Sequence, residues 1–156
     1  MPRIALLSHQ DMNPEQARLW DAATADPEAP RGGPYPIYIR LPRLFEAMHK
    51  LRACLAAGPL SLRERQIVNL TVAHHWNARY PWFAQVRRSR AAGIPDAAID
   101  AINACATPAL GDARERTCHA VARELLADKR LSDATHDAAK RVLGENDLIG
   151  LVAQIG

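Results

Sequence analysis

A chain of 156 residues, 48% hydrophobic and 24% charged, has enough material for one domain with a proper core and too little for two independent ones. Its net charge of +3 is too mild to call for nucleic acid, yet it suits a small anionic molecule as partner. Aromatics at 5% argue against a β-sandwich, while the frequency of Ala, Leu, Arg and Glu favours helix.

Taken in order, Met1 to Met12 shows no clear period and reads as an extended arm. Asn13-Pro14-Glu15-Gln16 supplies an N-cap, a first-turn proline and a capping-box glutamine, so a helix is expected from Pro14 to about Ala25. Asp26 to Pro36 carries four prolines and two glycines, a composition that predicts a long irregular loop. From Pro42 to about Ala57, Leu44, Phe45, Met48, Leu51, Cys54 and Leu55 keep helical spacing on one face, and Gly58-Pro59 ends the helix.

The stretch from Leu60 to Gly93 is expected to organise the rest. Ser61 and Glu64 fit a capping box, so a helix begins near Leu62; Ile67, Val68, Leu70, Val72 and Ala73 cover most of its circumference, which belongs in an interior. Asn77 to Tyr80 breaks the pattern, Pro81 starts a second helix, and Gly93 ends it. A short helix follows from Pro95 to about Cys105, and a longer one from Asp112 to Asp128 with Cys118, Val121, Ala122, Leu125 and Leu126 as its apolar stripe. Ser132 or Asp133 caps the next helix, which stops at Gly144, and Asn146 or Asp147 caps a last one. That last helix is apolar to its end, which implies that it docks in a groove of another subunit or that more chain follows it. No run alternates with period two, so the expectation is all-α, with seven or eight helices in a single domain spanning residues 1–156.

No segment has the makeup of a secretory signal, and no apolar run approaches the roughly 20 residues of a membrane helix. The expected protein is soluble and cytoplasmic, with no membrane partner. Cys54, Cys105 and Cys118 are odd in number and lack C-x-x-C spacing, so neither a disulfide framework nor a metal site is expected; all three read as small buried residues.

The segment R-E-R-Q-I-V on a capped helix, a short turn, Y-P-W-x-x-Q, and A-A-G before a proline-started helix resembles the core of the carboxymuconolactone decarboxylase family, which the alkylhydroperoxidase D-type proteins share. The resemblance is close over about Leu41 to Ala106. It implies an alkylhydroperoxidase D-like helical bundle with a central buried hairpin (60–93), assembled as a homo-oligomer (dimer, trimer or hexamer) with sites near the hairpin at subunit contacts. Peroxidase members carry Glu-x11-Cys-x2-Cys-x3-His. On that frame the Glu position falls on Gln66, the cysteines on Ala78 and Pro81, and the His on Gln85, so the peroxidase cysteine pair is lacking. Glutamine does not titrate, but Gln66 and Gln85 facing across the hairpin can form a neutral hydrogen-bonding site.

Two readings stay open for each further candidate. Glu64 is a helix cap, or it replaces the family's glutamate as a catalytic group. His74 and His75 are proton-transfer groups, histidine titrating near neutrality, or they are core or interface residues that hydrogen-bond a carbonyl. Being adjacent, they point about 100° apart and do not share a metal. Trp76, Tyr80, Trp82 and Phe83 wall a pocket or fill a core and interface, with Tyr80 and Trp82 the substrate-binding candidates. Arg87, with Arg88 and Arg90, orients an anion or forms a solvated face. A helix-turn-helix reading, with the second helix in a DNA groove, is disfavoured by the apolar first helix. The implied function is that of a cofactor-free, decarboxylase-like lyase acting on a small carboxylate or lactone. Its rival is a non-catalytic family member that serves as a ligand-binding or assembly subunit.

Overall fold

Short-range sequence signals account for most of the helices seen in the computed structural model, which describes residues 3–25 and 32–156. The described residues form nine α-helices and one 3₁₀ turn, without strands. One helix was not expected. The chain divides into two compact units, residues 1–54 and 55–156.

In the first unit, the arm is exposed and contains the 3₁₀ turn His9–Asp11, a departure from a fully extended path. Helix α1 (Pro14–Thr24) starts with the expected reciprocal box between Asn13 and Gln16. Of the expected loop, residues 26–31 lie outside the described residues. Its end is helical, since α2 (Tyr35–Tyr38) accommodates Pro36 in the first turn, where no N–H is required. Helix α3 (Pro42–Ala56) buries Phe45, which stacks on Trp20 at 6.0 Å and lies 4.4 Å from His49, with Tyr35 4.7 Å from His49. The remaining stripe is a correction: Leu44, Leu51 and Cys54 are exposed, because the aromatic cluster around Phe45 covers only one side of the helix.

The second unit is built on α4 (Leu62–His75). Val68 joins Leu60, Cys118, Val121, Leu126, Leu143 and Leu151 in one apolar cluster, supplied by α7 (Ala113–Asp128), α8 (Asp133–Leu143) and α9 (Glu145–Ile155). Ile67 and Leu70 join Ile94, Ile99, Ile102 and Leu110 in a second, against α6 (Asp96–Asn103), with Trp82 of α5 (Arg79–Ala91) packed on its flank. A helix that separates two cores must be apolar on both sides, which is why the sequence of α4 lacks a polar face. Ile67, Val68 and Leu70 are fully buried, and each contributes about 1.5–3 kcal/mol by leaving water.

The helix starts are as expected except two. Helix α5 begins at Arg79, two residues before Pro81, which sits within its first turn. Helix α9 has Gly144 as its N-cap, not Asn146 or Asp147, because Asp147 is drawn to Arg114. Gly150 in mid-α9 is required by close approach: a Cβ there would lie 2.8 Å from Pro59 Cγ.

Candidate functional site

The two ends of α4 are chemically different. At the N-terminal end the first-turn Glu64 is buried, and its carboxylate is fully engaged: Oε2 accepts the Ser61 N–H at 2.7 Å and Oε1 accepts Arg114 Nε at 2.7 Å. Arg114 continues to Asp147 at 2.9 Å, and this pairing of its guanidinium with two carboxylates raises its already high pKa. Arg63 makes a forked pair with the buried Glu115 and also donates to the Ala92 and Gly93 carbonyls at the end of α5. The capping reading of Glu64 is thus realised, and α4, α5, α7 and α9 are tied together there. Nearby, burial first and the Glu64 charge second push the Cys118 thiol up to about 12.

The C-terminal end closes with a Schellman turn. Ala78 N–H donates to the Ala73 carbonyl and Asn77 N–H to that of His74, which places Asn77 in the left-handed region at φ 47°. Helix α6 ends the same way, with Ala106 N–H donating to Ala101, Cys105 N–H to Ile102, and Cys105 at φ 56°. Helix α5 uses Gly93 at the equivalent position, φ 77°. A left-handed backbone costs a residue with a side chain about 1–2 kcal/mol. Among the described residues the non-glycine cases are Asn77, Cys105 and Lys129. All three gather at this end of α4: Asn77 is its terminal turn, Cys105 meets His74, and Lys129 Nζ lies 3.4 Å from His75 Nε2.

His74 Nε2 is 3.0 Å from Cys105 Sγ, and the imidazole lines a cavity of about 480 Å³ with Asn77, Arg79, Trp82 and Asn103. That volume lies within the range of small-molecule sites. The wall carries one imidazole, one guanidinium, two carboxamides and an indole, a mixture suited to a small ligand with both an anionic and an apolar part.

Of the sequence candidates, His74 and Trp82 come together. His75 turns the other way, edge-on to Trp76 at 5.0 Å, where Lys129 lies over the indole. Glu64 is ten residues before His74, about 15 Å along the helix axis. Gln66 and Gln85 are both inside the hairpin, but they are not hydrogen-bonded to one another. Each side-chain oxygen, like the Ser89 hydroxyl, is buried with no partner among the described residues. Tyr80 is exposed, as are Trp76, Phe83 and Arg87, so Trp82 alone of the turn aromatics packs on a core.

The sequence reading missed Arg79, Asn77, Asn103 and Cys105. Arg79 lay in the segment recognised as a break, and its place at the start of α5 was the available signal. Cys105 is a correction along with Cys54: both are exposed, and only Cys118 is buried. No local feature of the sequence announces that the α6 end carries Cys105 to His74.

A second cavity, of about 530 Å³, runs along α7 and is lined by Arg116, His119, Arg123 and Glu124. Burial and, secondarily, the Arg123 charge lower the His119 pKa. Arg116 is committed to the Leu110 and Gly111 carbonyls, and Glu124 accepts from Thr135 and Ser132, so these charges serve the fold. Among the described residues no helix is long and apolar enough to cross a membrane. No family model matches this chain, and no curated protein matches it significantly.

Proposed function

We propose that the chain is a carboxymuconolactone decarboxylase-like protein with the corresponding alkylhydroperoxidase D-like bundle, acting without a cofactor on a small carboxylate or lactone. One observation carries the reading: His74 and Arg79 line the same cavity. Arg79 holds the substrate carboxylate through charge-assisted hydrogen bonds. The Asn77 and Asn103 carboxamides hydrogen-bond the remaining oxygens, and Trp82 covers the hydrocarbon part. His74 gives or takes the proton at the reacting carbon. Its place on the cavity wall favours His74 over His75, and Arg79 over Arg87. The test is a titration of the isotope-labelled protein with small lactone carboxylates. His74 ring signals move on binding, and Arg79→Gln weakens the affinity about tenfold, the worth of one lost charged contact. Unmoved His74 signals at millimolar ligand would end this reading.

The assembly role draws on a different observation. Leu41, Leu44, Met48, Leu51 and Leu55 recur at the alternating three-and-four spacing of a helix-pairing seam, and Leu41, Leu44 and Leu51 are exposed. Such a stripe is complementary to itself, so a second copy is its natural occupant. The double variant Leu44→Glu, Leu51→Glu is expected to convert the homo-oligomer to monomer by light scattering.

A further inference from the structure

The cavity reading uses His74 as a proton carrier and leaves Cys105 without a part, although the two side chains touch. We infer that Cys105 is a nucleophilic thiol activated by His74, with small activated acyl compounds, esters or lactones, as its substrates. This rests on the cavity reading for the place of the substrate but stands on separate observations for the thiol.

The first is distance: Cys105 Sγ lies 3.0 Å from His74 Nε2, within the reach of a nucleophile and its base. The second is the backbone. Cys105 occupies the left-handed closing position of α6, held by the Ala106 to Ala101 and Cys105 to Ile102 hydrogen bonds, where α5 uses Gly93. Any residue with a side chain is there against its own preference, and this one delivers sulfur to the imidazole. The third is access, for Cys105 is exposed and His74 borders the cavity. Cys54 and Cys118 provide contrasts within the same chain, the former exposed, the latter buried with its thiol pushed up to about 12.

The chemistry balances without an external oxidant or reductant. With the ring proton on Nδ1, Nε2 accepts the thiol proton as sulfur attacks the carbonyl carbon, forming a C–S bond and a tetrahedral oxyanion. The first-turn N–H groups of α5, at Arg79 and Tyr80, have no partner within the helix, and with the Arg79 guanidinium they provide donors for that oxyanion. Collapse breaks the C–O bond of the ester or lactone, and His74 returns its proton to the departing alkoxide. The thioester left on Cys105 is cleaved by water, which loses a proton to His74 as the thiol reforms.

The experiment uses the full chain and two probes. With iodoacetamide at neutral pH, followed peptide by peptide, Cys105 is expected to react about tenfold or more faster than Cys54, and His74→Gln should abolish that advantage. With p-nitrophenyl acetate, a burst of one equivalent of nitrophenolate accompanies an acetyl adduct on the Cys105 peptide, and both disappear in Cys105→Gly. Glycine is the residue this backbone prefers, so that variant keeps the fold. Equal alkylation of Cys105 and Cys54, unchanged by His74→Gln, would overturn the activated thiol. Fast alkylation without an acetyl adduct would overturn the acyl step. Carboxylate binding, read separately from the His74 ring signals, shows whether the cavity reading has failed as well.

Discussion

The two ends of α4 belong to one continuous helix of 14 residues, yet they were built to different rules. At the Ser61 end the buried carboxylates are paired: Glu64 with Arg114, which also meets Asp147, and Glu115 with Arg63. At the His74 end the chain accepts left-handed backbone at Asn77 and Cys105 and leaves a guanidinium and an imidazole on the wall of a cavity. A buried charge without a partner is costly, so the first end is pinned. The second keeps its polar groups at the solvent edge, where they remain available for chemistry. Paired charges and cavity-lining polar groups are thus separated along a single element.

Substitutions at the pinned end test this division with the largest expected effect. Glu64→Ala removes the side-chain half of the capping box and leaves Arg114 with Asp147 alone, and a loss of about 3 kcal/mol is expected in urea denaturation, with His74 ring signals still responding to ligand. A loss below about 1 kcal/mol would show that the end is not an anchor. Leu70→Ala, in the core beside α6, should cost about 2–3 kcal/mol by the cavity it opens. Gly150→Ala separates helix propensity from packing. Propensity alone predicts a gain of about 1 kcal/mol, whereas the clash with Pro59 predicts a net loss of about 1–2 kcal/mol, read from the thermal midpoint.

The pH dependence follows from His119. Burial and Arg123 hold its folded pKa below the unfolded value, so the unfolded chain takes up the proton first. Its contribution to stability is complete above the ordinary histidine range and is lost as pH falls through that range toward the folded pKa. His119→Gln should therefore flatten the stability profile on the acid side of neutrality. The smallest effect belongs to the His74 end: Cys105→Gly relieves the left-handed backbone and, after the entropy glycine adds to the unfolded chain, should stabilise by about 0.5 kcal/mol. A clear destabilisation would mean that the thiol holds the α6 end in place.

Most helix positions were legible from the residues alone, and particular elements show why. The Asn13–Gln16 and Ser61–Glu64 boxes span four residues, and the Cys118, Val121, Ala122, Leu126 stripe depends only on the helical repeat. Local rules failed where distant chain intervened. Asp147 reads as a cap until Arg114 claims it, and the α3 leucines read as core until the aromatic cluster proves too narrow to cover them. The hairpin glutamines were expected to face one another as a hydrogen-bonding pair; their side-chain oxygens are buried, but the mutual hydrogen bond is not made.

For the candidate site the balance is different. His74 and Trp82 belong to a hairpin whose order in the chain already makes them neighbours. Cys105 meets His74 across 31 residues, and Arg114 meets Glu64 across 50. Caps and helical periodicity reflect interactions within about one turn, so the amino-acid order is sufficient to specify them. Which helix ends converge depends on how apolar faces pack against both sides of α4, a property of the folded chain as a whole. That packing, with the left-handed turn at Cys105, is what brings a thiol, an imidazole and a guanidinium to one end of the central helix.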